Sequence, residues 1–214
     1  MKKIVIGTVL STSLLLSACS IGTSAEQQLS DSLTKVYEEE QGYRDAQAKL
    51  AELEKKEQLT FNQTMELTQE QKEEVSVKVE ELNSSLSERL TLLKEENDSI
   101  EKAQESLSSL DKIVEEAKDD QIKSSVSDLQ EAMDARYEAH DQVSAEYQKL
   151  TDLQSTLYEM LTNEETQQAE LQEQVVKVNE QNEVVQSAIN AFNDATKKLN
   201  EKKESVYDSI QEEK

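Results

Sequence analysis

Val79, Leu86, Leu93, Ile100, Leu107 and Val114 recur at every seventh residue without a gap. Val75, Leu82, Ala103, Leu110 and Ala117 fill the companion positions, with Arg89 and Glu96 as exceptions. Two apolar positions per seven place a narrow hydrophobic seam along one side of a helix. A strand cannot present this pattern, because its side chains alternate with period two. The chain also has no proline and three glycines, of which Gly42 alone lies in the body. Tight β-turns favour Gly, Asn-Gly or Pro, so the chain is poor material for a β-fold. Glu, Gln, Lys, Leu and Ala dominate instead, and all are good helix formers.

Three further runs carry the same kind of seam. Leu29, Leu33, Val36, Tyr43, Ala46, Leu50 and Leu53 recur at threes, fours and sevens, and Phe61, Met65 and Leu67 extend them less regularly. Gly42 costs this helix about 1 kcal/mol relative to Ala and marks a place for a kink. Thr68-Gln69-Glu70-Gln71 reads as a capping box that starts the second segment. Beyond Ala117 the phase slips by about one residue. Ile122, Leu129, Val143, Leu150 and Leu157 then form a new seam with Val126, Met133, Tyr147 and Leu161, and Asp119-Asp120 can cap it. Thr162-Asn163-Glu164-Glu165 is a second capping box. The last run is Leu171, Val178, Val185, Phe192, Leu199 and Val206, with Val175, Ile189 and Ile210 on the same stripe. Arg89, Asn182 and Thr196 interrupt these stripes, a pattern that fixes register in coiled coils.

Four amphipathic segments with short connections predict an all-α fold over residues 29–212. The expected form is an antiparallel up-and-down four-helix bundle of long, coiled-coil-like helices, each about 65 Å long. A three-helix bundle and an extended coiled coil are the alternatives. Leu90, Ile113, Val176, Val184, Ala188 and Ala195 widen the stripes and favour an intramolecular bundle.

The N-terminus reads as an export signal. Lys2 and Lys3 precede the apolar run Ile4–Leu16, which is shorter than the ~20 residues a spanning helix needs. Leu16-Ser17-Ala18-Cys19 resembles the bacterial lipobox, and Cys19 is the only cysteine. That resemblance implies a diacylglycerol on the Cys19 thiol and cleavage between Ala18 and Cys19. Two or more acyl chains such as palmitate give stable anchoring, where one gives only marginal binding. Residues 19–28 then form the lipidated cysteine and a short flexible tether.

The formal charge is −23, and loss of the two leader lysines makes it more negative still. Such a body does not bind nucleic acid and is repelled by polyanions. His140 is the only histidine, on the stripe of Met133 and Tyr147. A di-iron bundle needs paired Glu-x-x-His motifs, and residue 137 is Tyr. No metal or cofactor site and no catalytic residue is expected, and His140 reads as a core residue. Tyr37, Tyr43 and Tyr207 belong to the membrane-proximal end of an antiparallel bundle. They read as rim aromatics of the core, with a binding surface as the alternative.

Leu53-Glu54-Lys55-Lys56-Glu57, Tyr158-Glu159-Met160-Leu161, Val178-Asn179-Glu180-Gln181-Asn182 and Phe192-Asn193-Asp194-Ala195-Thr196-Lys197-Lys198-Leu199-Asn200, with the lipobox, resemble the YkyA-type cell-wall-binding lipoproteins of low-GC Gram-positive bacteria. The resemblance implies a helical bundle lipid-anchored at the outer face of the cytoplasmic membrane, facing the wall. It carries over Cys19 and brings no catalytic residue. The expected function is non-enzymatic tethering to a wall polymer or a wall-associated protein. A holdase-like helper for exported proteins is the alternative.

Overall fold

The computed structural model describes residues 25–68 and 70–212. The leader, Ala18 and Cys19 lie outside the described residues. Among the described residues six helices make four rods. The first rod is α1 (Ala25–Glu39) followed by α2 (Gln41–Glu66), and the second is α3 (Lys72–Glu105) followed by α4 (Ser108–Glu116). The third and fourth rods are the unbroken helices α5 (Asp120–Thr162) and α6 (Gln168–Glu212). The chain is an all-α helical bundle. Helix begins at Ala25, which packs against the core, so the tether read at 19–28 ends earlier than position 28.

Cross-rod pairs fix the directions. Gln63 meets Lys78, Glu57 meets Arg89 and Gln47 meets Glu96, so the second rod runs opposite to the first. Asp111 with Gln130 and Asn97 with Ser144 set α5 antiparallel to the second rod. Asp128 with Lys202 and Leu153 with Gln174 set α6 antiparallel to α5. The rods therefore run up, down, up and down, and α1 packs against α6 to bring the first and last rods together at one end.

The predicted seams form the core. Val79, Leu86, Leu93, Ile100 and Leu107 are buried, as are Ile122, Leu129, Val143, Leu150 and Leu157, and Val178, Val185, Phe192, Leu199 and Val206. Three expectations fail. Val176 and Val184 are 52% and 45% exposed and do not widen the core. Met65 is 49% exposed, because the α2 stripe continues through Glu57, Thr60 and Thr64. Thr162 stays inside α5 and donates to the Glu159 carbonyl, so its capping box is not used. The α6 start is held instead by the Glu170 carboxylate, which accepts from the Gln167 N–H.

The other starts follow local chemistry. Asp119 caps α5 as read, its carboxylate accepting from the Gln121 and Ile122 amides at 2.7 and 3.1 Å. At Thr68–Gln71 half a box forms. The Gln71 side-chain Oε1 accepts from the Thr68 backbone N–H, but α3 starts only at Lys72.

The break between α1 and α2 has a definite cause. In an uninterrupted helix the Tyr43 N–H donates to the Glu39 carbonyl, four residues back. Here it donates to Ser99 Oγ on α3, and that hydroxyl donates to the Glu39 carbonyl. Ser99 is thus spliced into the ladder of the neighbouring helix, which bends it. Gly42 makes the approach available, since a Cβ there would stand 3.0 Å from Ser99 Cβ. The kink read at Gly42 falls at Glu40, two residues earlier.

Candidate functional site

The aromatics expected at one rim separate in the structure. Tyr43 is buried, with its ring packed edge-on against His140 and Phe192 at 5.6 and 6.0 Å. Tyr37 is half-buried under the Arg44 guanidinium, 3.8 Å from its ring centroid. Tyr207 is half-buried, and burial raises its pKa. The structure does not gather these three into one surface.

Three polar layers inside the bundle account for most of the buried charge. In the first, Arg136 Nη1 lies 2.6 Å from Glu40 Oε1, and both side chains are 2% exposed. The Tyr137 hydroxyl donates to the same carboxylate, and Arg136 Nε donates to Thr196 Oγ1. In the second, Glu96 Oε1 lies 2.8 Å from His140 Nε2 and accepts from Gln47. His140 Nδ1 and Gln47 Oε1 are buried without a hydrogen-bond partner.

In the third layer, Arg89 Nη1 donates to Glu57 Oε1 at 2.7 Å and its Nε donates to the Tyr147 hydroxyl. The Tyr147 hydroxyl donates to Glu54, and the Tyr158 hydroxyl donates to Glu57. Burial works against the Arg89 charge, but Tyr147, Glu57 and Glu54 outweigh it and push its pKa above the ordinary range. Burial likewise raises the hydroxyl pKa values of Tyr43, Tyr137, Tyr147 and Tyr158. Glu54 is raised by burial despite Arg89 and Tyr147.

These layers hold the rods in register. Tyr137, Tyr147 and Tyr158 on α5 reach across the bundle to Glu40, Glu54 and Glu57, on or beside α2. Among the described residues no group of three or more His, Cys, Asp or Glu is arranged to hold a metal ion.

The surface carries a different feature. Leu90, Leu93, Lys94 and Asn97 on α3 face Asp141, Ser144, Ala145 and Gln148 on α5 across a groove of about 330 Å³. Both sets run i, i+3, i+4, i+7, so each is one stripe of its helix. Asn97 Nδ2 donates to Ser144 Oγ at 2.8 Å and ties the two walls together. Asn97 Oδ1 is buried and accepts no hydrogen bond. Lys94 and Asp141 are exposed, and neither takes part in an ion pair of the bundle.

Comparison with known proteins decides the family. The model of the YkyA family, described as "Putative cell-wall binding lipoprotein", matches residues 24–209. The chain belongs to the YkyA family. It is 29% identical over 204 residues to the "Uncharacterized lipoprotein YkyA" of Bacillus subtilis, covering 95% of this chain and 91% of that one. A crystal structure of a conserved protein of unknown function from Staphylococcus aureus superposes with a TM-score of 0.76 at 17% identity. It covers 90% of this chain and 98% of its own. That likeness concerns the fold.

Sequence reasoning missed Glu40, Glu54, Glu57 and Arg136. A signal for each was present. Glu57 continues the sevens of Leu29, Val36, Tyr43 and Leu50, and Glu40 and Glu54 continue those of Leu33. Arg136 fills the interval between Leu129 and Val143. A charge on a seam position is a buried charge with a partner. The groove left no comparable signal, because its polar residues lie off the seams.

Proposed function

We propose that this protein is a lipid-anchored, extracytoplasmic, non-enzymatic binding protein whose helical surface engages the cell wall or a wall-associated protein. The observation that carries this reading is the extent of the family match. It spans residues 24–209, so the wall-binding description attaches to the bundle and not to the leader. The interior supports the same division of labour. Its buried acids and arginines are engaged with one another across the rods, which leaves the outer faces for contact.

Cys19 supplies the anchor, with cleavage after Ala18 and diacylglycerol on the thiol. Among the described residues no helix is long and apolar enough to cross a membrane. Residues 20–24 separate Cys19 from α1 and span about 20 Å at most when extended. The bundle is therefore held close to the outer face of the membrane. Its net charge repels anionic wall polymers, so contact depends on local neutral or zwitterionic chemistry.

Co-sedimentation of the full chain carrying Cys19→Ser with purified sacculi, alongside an envelope-protein pulldown, tests the reading. Saturable sedimentation, or capture of one envelope protein, is expected at physiological salt. Failure of both contradicts it.

A further inference from the structure

We propose that α1 is a releasable strap, which leaves the bundle as one unit up to a fixed stop at Glu40 and so lengthens the link between Cys19 and the body. Two devices meet at its end. The Tyr43 N–H and the Glu39 carbonyl both bond to Ser99 Oγ instead of to each other, and the Tyr37 carbonyl accepts from Arg44 Nη2 at 2.8 Å. Side chains of α2 and α3 thus finish α1 as a helix in its own right. The next residue, Glu40, is clamped inside the bundle by Arg136 Nη1 at 2.6 Å and by the Tyr137 hydroxyl at 3.1 Å.

The two sides of this point are held differently. From Glu40 onward, Glu40, Glu54 and Glu57 tie the rod to α3 and α5 through Arg136, Tyr147, Arg89 and Tyr158. Before it, α1 buries Leu29, Leu33 and Val36 against the bundle, and none of its charged residues is buried. A segment with few buried apolar contacts opens at a lower free energy than the rest of a fold. The topology permits it. The short α4 packs beside α1 but is joined to α3 at one end and to α5 at the other, whereas α1 joins the bundle's chain at Glu40 alone. A helix as short as α1 is marginal by itself in water, so the released strap is coil. With α1 docked, residues 20–24 set the reach from Cys19, about 20 Å at most. With α1 released, residues 20–39 span up to about 70 Å. The lengthening rests on the Cys19 anchor proposed above, whereas the release is a property of the bundle itself.

Hydrogen exchange of the full chain carrying Cys19→Ser, followed by mass spectrometry in low urea, tests the release. Residues 25–39 are expected to exchange together, about 100-fold or more faster than residues 41–66 and 120–162, with a weaker urea dependence than global unfolding. Leu33→Ala is expected to speed residues 25–39 by about tenfold or more while leaving 120–162 in place. Gln28 and Glu116 touch at 3.1 Å, so Gln28→Cys with Glu116→Cys, joined by a short bismaleimide, pins the strap. The joined protein is expected to lose the fast phase. Exchange of 25–39 at the rate of 41–66, exchange graded inward from Ala25, or a fast phase that survives the cross-link overturns the proposal. The release is read without the lipid, so an unmodified Cys19 in the native protein contradicts the anchor reading alone. A lipidated Cys19 beside a strap that does not open contradicts the strap alone.

Discussion

The Ser99 hydroxyl occupies the place of a backbone hydrogen bond in another helix: it accepts the Tyr43 N–H at 3.0 Å and bends the first rod there. Ser99→Ala removes both the acceptor and the donor to Glu39, leaving buried backbone groups unpaired. A loss of about 1–3 kcal/mol is expected in urea unfolding.

Gly42→Ala tests the same contact from the other side. Alanine gains about 1 kcal/mol of helix propensity. Against that, its Cβ would stand 3.0 Å from Ser99 Cβ, and Ser99 is pinned by two hydrogen bonds. The contact outweighs the propensity, so a net loss of about 1 kcal/mol is expected. A stabilised variant would show that Ser99 yields freely.

The buried charges separate by their partners. Glu40→Gln leaves Arg136 without its counter-charge, and Glu57→Gln removes the nearer of the two carboxylates that face Arg89. Each is expected to cost about 3–5 kcal/mol. Glu54 is different, because its side chain is 20% exposed and lies 3.9 Å from Arg89. Burial already favours its neutral form. Glu54→Gln keeps an oxygen for the Tyr147 hydroxyl, so a change within about 1 kcal/mol at neutral pH is expected. Urea midpoints of the three variants give the comparison.

These layers mark how far the sequence was legible. Sevenfold spacing gave the rods, their order and nearly all of the apolar core, because one face of a long helix must be buried. It did not give the break at Glu40, which depends on a serine from another rod entering the ladder. Nor did it give the use of Glu170 rather than Thr162 at the last turn, since both sequences can cap. The groove was illegible for a further reason. Lys94, Asn97 and Asp141 sit where solvated residues are expected, and only the facing of α3 and α5 brings them together.

Alkaline titration reads the tyrosines. Tyr43, Tyr137, Tyr147 and Tyr158 have pKa values raised by burial, against about 10 when unfolded. Their neutral forms stabilise the fold fully below pH ~10, and that stability falls as pH rises above it. Tyrosinate absorbance of these four is expected to appear together with loss of helical circular dichroism. Independent titration near pH ~10 in a folded chain contradicts their placement.

The helix starts allow a further contrast. Asp119→Ala removes the cap of α5 and is expected to cost about 1 kcal/mol. Thr162→Ala removes only an exposed bond to the Glu159 carbonyl and is expected to change stability by less than about 0.5 kcal/mol. Thermal unfolding of the two variants distinguishes them.

Mass spectrometry of the membrane-extracted protein, wild type beside Cys19→Ala with fractionation of both, tests most directly whether this bundle works as a membrane-held binding protein. The expected wild-type species begins at Cys19 and carries diacylglycerol on the thiol, and the variant leaves the membrane fraction. An unmodified thiol or an uncut N-terminus in the wild type contradicts the placement and the function built on it.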